Sequence, residues 1–105
     1  MVILNPEANN VSPHPLPPML LTPAEIDQAL PLLPGWTTDG RSLRRTYVFP
    51  GFPAAVAFVD GLVGPAEAQG HHPDIAISYN RVTLTLTTHD AGGLTAKDLA
   101  LARAI

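Results

Sequence analysis

The sequence contains no cysteine. That absence removes disulfide scaffolds, thiolate zinc sites, iron–sulfur clusters and cysteine nucleophiles from consideration. Charge is scarce as well: charged residues make up 14% of the chain, with nine acids against six bases and a net charge of −3. Duplex nucleic acid and anionic membranes recruit proteins through clustered Lys and Arg, so neither is expected as a direct partner. No apolar run approaches the ~20 residues of a bilayer span. The stretch from Met1 to Pro6 has no basic residue and no long apolar run. No secretory leader is therefore expected, and the expected compartment is the cytoplasm. P-loop, GxGxxG and GxSxG motifs are all missing.

Hydrophobic residues, at 46%, are too abundant for a disordered chain, and 105 residues suit one core. Proline is the residue in excess. Five of the twelve (Pro6, Pro13, Pro15, Pro17, Pro18) fall in the first twenty positions, where they remove backbone donors and favour extended conformations. Residues 1–20 are thus expected to be a flexible Pro-rich tail and 21–105 the folded domain. Within the tail, Val2 to Leu4 could pair as a short strand, and the proline run could dock in a proline-recognition groove. An unstructured leader is the simpler expectation.

The folded part begins with Thr22, Pro23 and Glu25, a capping box with proline at the first helical position. Leu21 is placed to staple onto Ile26. This predicts a helix over 23–30. Strands are predicted at 36–38 and 43–49, joined by a turn at Asp39-Gly40. Ala55, Phe58, Val59, Leu62, Val63 and Ala66 form an apolar stripe, which predicts a helix over 53–68 with a kink or tightened turn near Pro65 and a stop at Gly70. Strict alternation marks strands at 74–79 and 81–88, with Asn80-Arg81 as their turn. Thr95 and Asp98 form a second capping box for a helix over 96–104. The order α-β-β-α-β-β-α predicts a two-layer α+β domain, a four-stranded antiparallel sheet with three helices on one face. Arg41, Arg44 and Arg45 are read as a small basic, solvated patch on the first hairpin.

Three of the four histidines sit at element junctions: His71 and His72 before Pro73, and His89 at the end of the last strand. His14 lies in the tail. An unperturbed imidazole, with a pKa near ~6.5, gives and takes protons around neutrality. Three readings of the cluster stand: histidines that cap and hydrogen-bond at a junction, a three-histidine metal site, or metal-free acid–base catalysis. The spacing contains no HxH or HxxxH pair. Tandem residues entering a strand point to opposite faces, so His71 and His72 are expected to differ in role. Glu67, four residues before His71, is placed to hydrogen-bond that ring if the helix persists. Asp98 is accounted for by capping alone.

Glu67-xxx-His71-His72-Pro73, Tyr79 after five residues, His89 after nine more and Asp98 after eight resemble the signature of the pterin-4a-carbinolamine dehydratase family. The run from Thr88 to Thr95 also fits, and the resemblance covers about residues 22–105. It implies the same α+β fold and a hydro-lyase that dehydrates 4a-hydroxytetrahydropterin to quinonoid dihydropterin, recycling the cofactor of aromatic amino acid hydroxylases. It implies His71, His89 and His72 as catalytic residues, with Glu67, Pro73, Asp74, Tyr79 and Asp98 in binding or support roles, and no metal or organic cofactor. The implied partner is a pterin substrate, and a homodimer is expected from the sheet itself, which is covered on one face only and has edge strands rich in threonine and valine that invite pairing. A tetramer is less favoured, because the last helix is shorter than in animal members. The sequence also departs from those members at Ile75, where they carry tryptophan, and at Pro65. Some relatives double as a dimerisation cofactor for a homeodomain transcription factor, and others resemble the family in fold but serve as assembly factors for a carboxylating enzyme, with the histidine set eroded. A non-catalytic dimeric module is thus the alternative, and the intact histidine set favours the enzyme.

Overall fold

The structure, a computed structural model, describes residues 19–105. The expected tail up to residue 18, with its possible pairing of Val2 to Leu4, lies outside the described residues.

The first helix, α1 (Pro23–Ala29), starts with the expected capping box. Glu25 Oε1 accepts from the Thr22 N–H at 2.8 Å, and Thr22 Oγ1 accepts from the Glu25 N–H at 3.2 Å. A 3₁₀ turn at Leu30–Leu32 follows. The strands are β1 (Thr37–Thr38) and β2 (Leu43–Val48). Next come helices α2 (Phe52–Asp60) and α3 (Val63–Gln69), then strands β3 (Asp74–Ser78) and β4 (Arg81–Leu86). After a 3₁₀ turn at His89–Ala91, α4 (Ala96–Ala104) closes the domain. The sheet is antiparallel throughout, in the order β1-β2-β4-β3.

Alternation decides which face is covered. Val82, Leu84 and Leu86 are fully buried, and register places Leu43 opposite Leu86 on the same face. Ile26, Ala55, Leu99 and Leu101 from the helices, with Leu62 from the turn between α2 and α3, join them in one core. The expected two-layer α+β architecture is therefore present.

Three local expectations are corrected. The single helix over 53–68 is divided in two, which makes four α-helices among the described residues. The Leu62 N–H bonds back to Val59 O at 3.0 Å, an i−3 contact that tightens and ends α2. Pro65 then falls in the first turn of α3, where a missing N–H has no helical partner to lose. The second hairpin turns at Tyr79-Asn80, one residue earlier than expected, with Ser78 and Arg81 as the closing pair. Arg81 is a poor turn residue, and it pairs instead with both Val48 and Ser78. Asn80 is anchored by Phe49: its Nδ2 donates to Phe49 O at 3.0 Å, and the Phe49 N–H donates to Asn80 O at 2.8 Å. Tyr79 consequently holds a φ of 53°. Finally, Arg44 and Arg45 do not share a patch. They alternate across β2, and the Arg45 guanidinium stacks 4.4 Å from the centre of the Tyr47 ring.

The first hairpin is closed by Thr38 and Leu43 around Asp39 to Ser42. Asp39 Oδ1 accepts from the N–H groups of Arg41 (2.9 Å) and Ser42 (2.8 Å) and from the Ser42 hydroxyl (3.1 Å). These donors hold the Asp39 carboxyl below the usual carboxylate range.

Candidate functional site

Four chain segments meet at one end of the sheet: the end of α3, the start of β3, the turn after β4 and the first turn of α4. Gly70 stops α3 in the left-handed conformation, with φ 58°, and the His71 N–H closes back on Ala66 O at 3.1 Å. Beyond that stop the four-residue helical spacing no longer applies, so Glu67 does not reach His71. It meets His72 instead, with Oε2 2.5 Å from Nε2. Both of these side chains are solvent-exposed.

His71 turns inward and keeps 11% of its side-chain surface. Its Nε2 lies 2.6 Å from Asp98 Oδ1, and Asp98 is fully buried. The other carboxylate oxygen, Oδ2, accepts from the Thr95 N–H at 2.9 Å and from the Thr88 hydroxyl at 2.8 Å. Capping therefore does not account for Asp98 alone, because it also anchors a histidine. His89 is exposed, and its Nε2 stands 3.8 Å from Asp74 Oδ2, beyond hydrogen-bond range.

His71, His72 and His89 line a single open cavity of about 250 Å³, together with Thr88 and Lys97. His72 also borders a second, apolar cavity of about 210 Å³, walled by Val59, Leu62 and Ile75 and edged by Glu67 and Pro73. Asp74 enters the site only through His89. Tyr79 lies at the exposed tip of the β3–β4 hairpin and lines neither cavity. Among the described residues, no three His, Asp or Glu side chains converge as ligands of a metal ion would.

A carboxylate only accepts hydrogen bonds, so the ring nitrogen facing it must carry hydrogen. Both His71 and His72 thus present Nε2–H to a carboxylate and leave Nδ1 for other work. The site can hold a flat polar molecule between imidazoles, with an apolar wall beside it, and move protons at two places.

Thr88 is the site residue that sequence reasoning passed over. Its signal was parity: it continues the buried series Val82, Leu84, Leu86, and a buried hydroxyl requires a partner.

The model of the pterin 4 alpha carbinolamine dehydratase family matches residues 19–105. A protein of Thermosynechococcus vestitus, named for pterin-4-alpha-carbinolamine dehydratase, is 54% identical over 85 residues, covering 81% of this chain and 90% of the relative. One of Cyanothece sp., named in the same way, is 57% identical over 86 residues, covering 82% and 89%. A crystal structure from Brucella melitensis, described as a transcriptional coactivator/pterin dehydratase, superposes with a TM-score of 0.74 at 40% identity. That match covers 80% of this chain and 92% of the other.

Proposed function

The chain belongs to the pterin 4 alpha carbinolamine dehydratase family, and we propose that it dehydrates 4a-hydroxytetrahydropterin to quinonoid dihydropterin, recycling the cofactor of aromatic amino acid hydroxylases. The observation that carries this reading is the cavity lined by His71, His72 and His89, with two of the rings held by carboxylates.

In the reaction the C4a–O bond breaks and the oxygen takes up a proton to leave as water. N5 gives up its proton, and its electron pair forms the C4a=N5 double bond. One acid and one base are needed. His71, nearly buried and anchored by Asp98, and His89, exposed across the cavity, take these proton-transfer roles. His72, steadied by Glu67 at the border with the apolar cavity, binds and orients the ring. Pro73 and Asp74 shape the site's edge, and Tyr79 supports the strand pair that carries it. General acid–base help of this kind contributes ~10²–10⁴-fold.

The active form in this reading is a cytoplasmic homodimer paired along β3. All five residues of that edge strand are exposed, including the apolar Ile75 and Ile77, and such an edge invites pairing. The second reading is a non-catalytic dimeric module of the same fold, and the description of the Brucella structure, which names a transcriptional coactivator beside a pterin dehydratase, supports its coactivator form.

A dehydration assay on freshly made 4a-hydroxytetrahydropterin decides between them. Turnover above the buffer rate is expected. A flat assay, with stable capture of a protein partner, would replace the enzyme by the module.

A further inference from the structure

We propose that Thr88 is a positioning residue of the reaction: its hydroxyl fixes the Asp98 carboxylate and, through it, the ring of His71. This rests on the reading of His71 as a proton-transfer residue.

The buried hydrogen bonds have only one consistent direction. Asp98 Oδ2 can only accept, so the single Thr88 hydroxyl proton points at it across 2.8 Å. The contact of 2.7 Å between Thr88 Oγ1 and Thr95 Oγ1 must then be donated by Thr95. Thr95 Oγ1 in turn accepts from the Lys97 N–H at 3.3 Å. The chain of donors therefore runs from the first turn of α4 through Thr95 and Thr88 to Asp98, and His71 Nε2–H meets the same carboxylate from the other side.

Thr88 is well placed for this task. Its backbone is pinned to the loop it precedes: its N–H donates to Gly93 O at 2.9 Å, and its carbonyl accepts from Ala91 and Gly92 at 3.0 Å each. The side chain is buried at 5% exposure and borders the histidine cavity. With the Thr88 hydroxyl gone, Oδ2 keeps the Thr95 N–H as its one donor, and that side of the carboxylate is held by one hydrogen bond instead of two. The acceptor that keeps the His71 proton on Nε2 and its Nδ1 bare is then less firmly fixed.

The test uses Thr88→Val, which keeps the branched shape and removes the hydroxyl, and Thr88→Ser, which restores it. The ring state of His71 is read from its ¹⁵N shifts. In the wild-type protein His71 is expected as one tautomer, with hydrogen on Nε2. In Thr88→Val a mixture of tautomers is expected, with kcat lower on the order of tenfold and KM within about twofold. Thr88→Ser should return both the single tautomer and the rate. A wild-type ring protonated on Nδ1 alone overturns the proposal, as does a Thr88→Val protein with wild-type kcat and ring pattern. If Thr88→Val does not fold, the wild-type spectrum and Thr88→Ser decide: a serine variant with mixed tautomers also overturns it. Failure of the catalytic reading looks different, since His71→Ala would then keep full turnover while the ring pattern still responds to Thr88.

Discussion

Asp98 Oδ1 lies 2.6 Å from His71 Nε2, across 27 positions of sequence, while the second oxygen of the same carboxylate caps α4. One buried side chain thus joins the last helix to the histidine that follows α3.

Replacing Asp98 separates its two tasks. Asp98→Asn puts an amide N–H₂ against either the His71 N–H or the Thr88 and Thr95 donors, so one side of the arrangement is mismatched. Turnover should fall by about two decades and stability by about 1–3 kcal/mol, the cost of an unsatisfied buried group. The dehydration assay and urea denaturation measure the two effects. Reduced stability with normal turnover would leave capping as the whole role.

The histidines should divide by kinetic signature. His71→Ala and His89→Ala should each lower kcat by one to two decades, about 1.4–3 kcal/mol of barrier. The double variant should approach the uncatalysed rate. His72→Ala should raise KM more than it lowers kcat. Chelators should leave turnover unchanged. Loss of activity in EDTA with recovery on zinc, or a double variant at the wild-type rate, would refute the assignment.

The open edge offers a test of assembly. Ile77 is 40% exposed on β3 and lines neither cavity at the histidine site. Ile77→Lys places a charge where a second copy would pack. Sedimentation at micromolar concentration should show a dimer for the wild-type chain and a monomer for the variant. A variant that still dimerises would place the interface elsewhere.

Tyr47 carries a buried hydroxyl with no hydrogen-bond partner among the described residues, and burial pushes its pKa up. Its ring packs against Phe58 with centroids 4.5 Å apart. Tyr47→Phe keeps the packing and removes the unpaired oxygen. It should leave stability unchanged or raise it by up to about 1 kcal/mol in denaturant titrations. A clear loss of stability would reveal a partner for that oxygen.

Asp39 should give the first hairpin an acid-sensitive component. Its folded pKa lies below the ordinary carboxylate value of ~3.9, because the Arg41 and Ser42 amides favour the ionised form. A depressed value adds stability that is fully present above the ordinary value and disappears as pH falls through the folded one. The Tm gap between wild type and Asp39→Ala should be open at neutral pH and should narrow in strong acid. A gap independent of pH would show that the charge plays no part.

Both capping boxes, the covered face of β4 and the stop at Gly70 were legible in the sequence, because each rests on residues within a few positions of one another. The misplaced features depend on longer reach. The turn at Tyr79-Asn80 is set by Asn80 bonding to Phe49, 31 positions away. The choice of Glu67 between two neighbouring histidines depends on how the chain leaves the left-handed Gly70. The pairing of Asp98 with His71 exists only once α4 has docked against α3. Periodicity places a residue on a face but does not say which distant side chain it meets there.

The shared carboxylate also has a consequence for motion. Fraying of the first turn of α4 also withdraws the acceptor of the His71 ring, because Asp98 belongs to that turn. Hydrogen exchange at the Thr95 amide, which that carboxylate holds, would therefore report how often this helix end opens. The site would open with the free energy of a local helix end rather than of the whole domain.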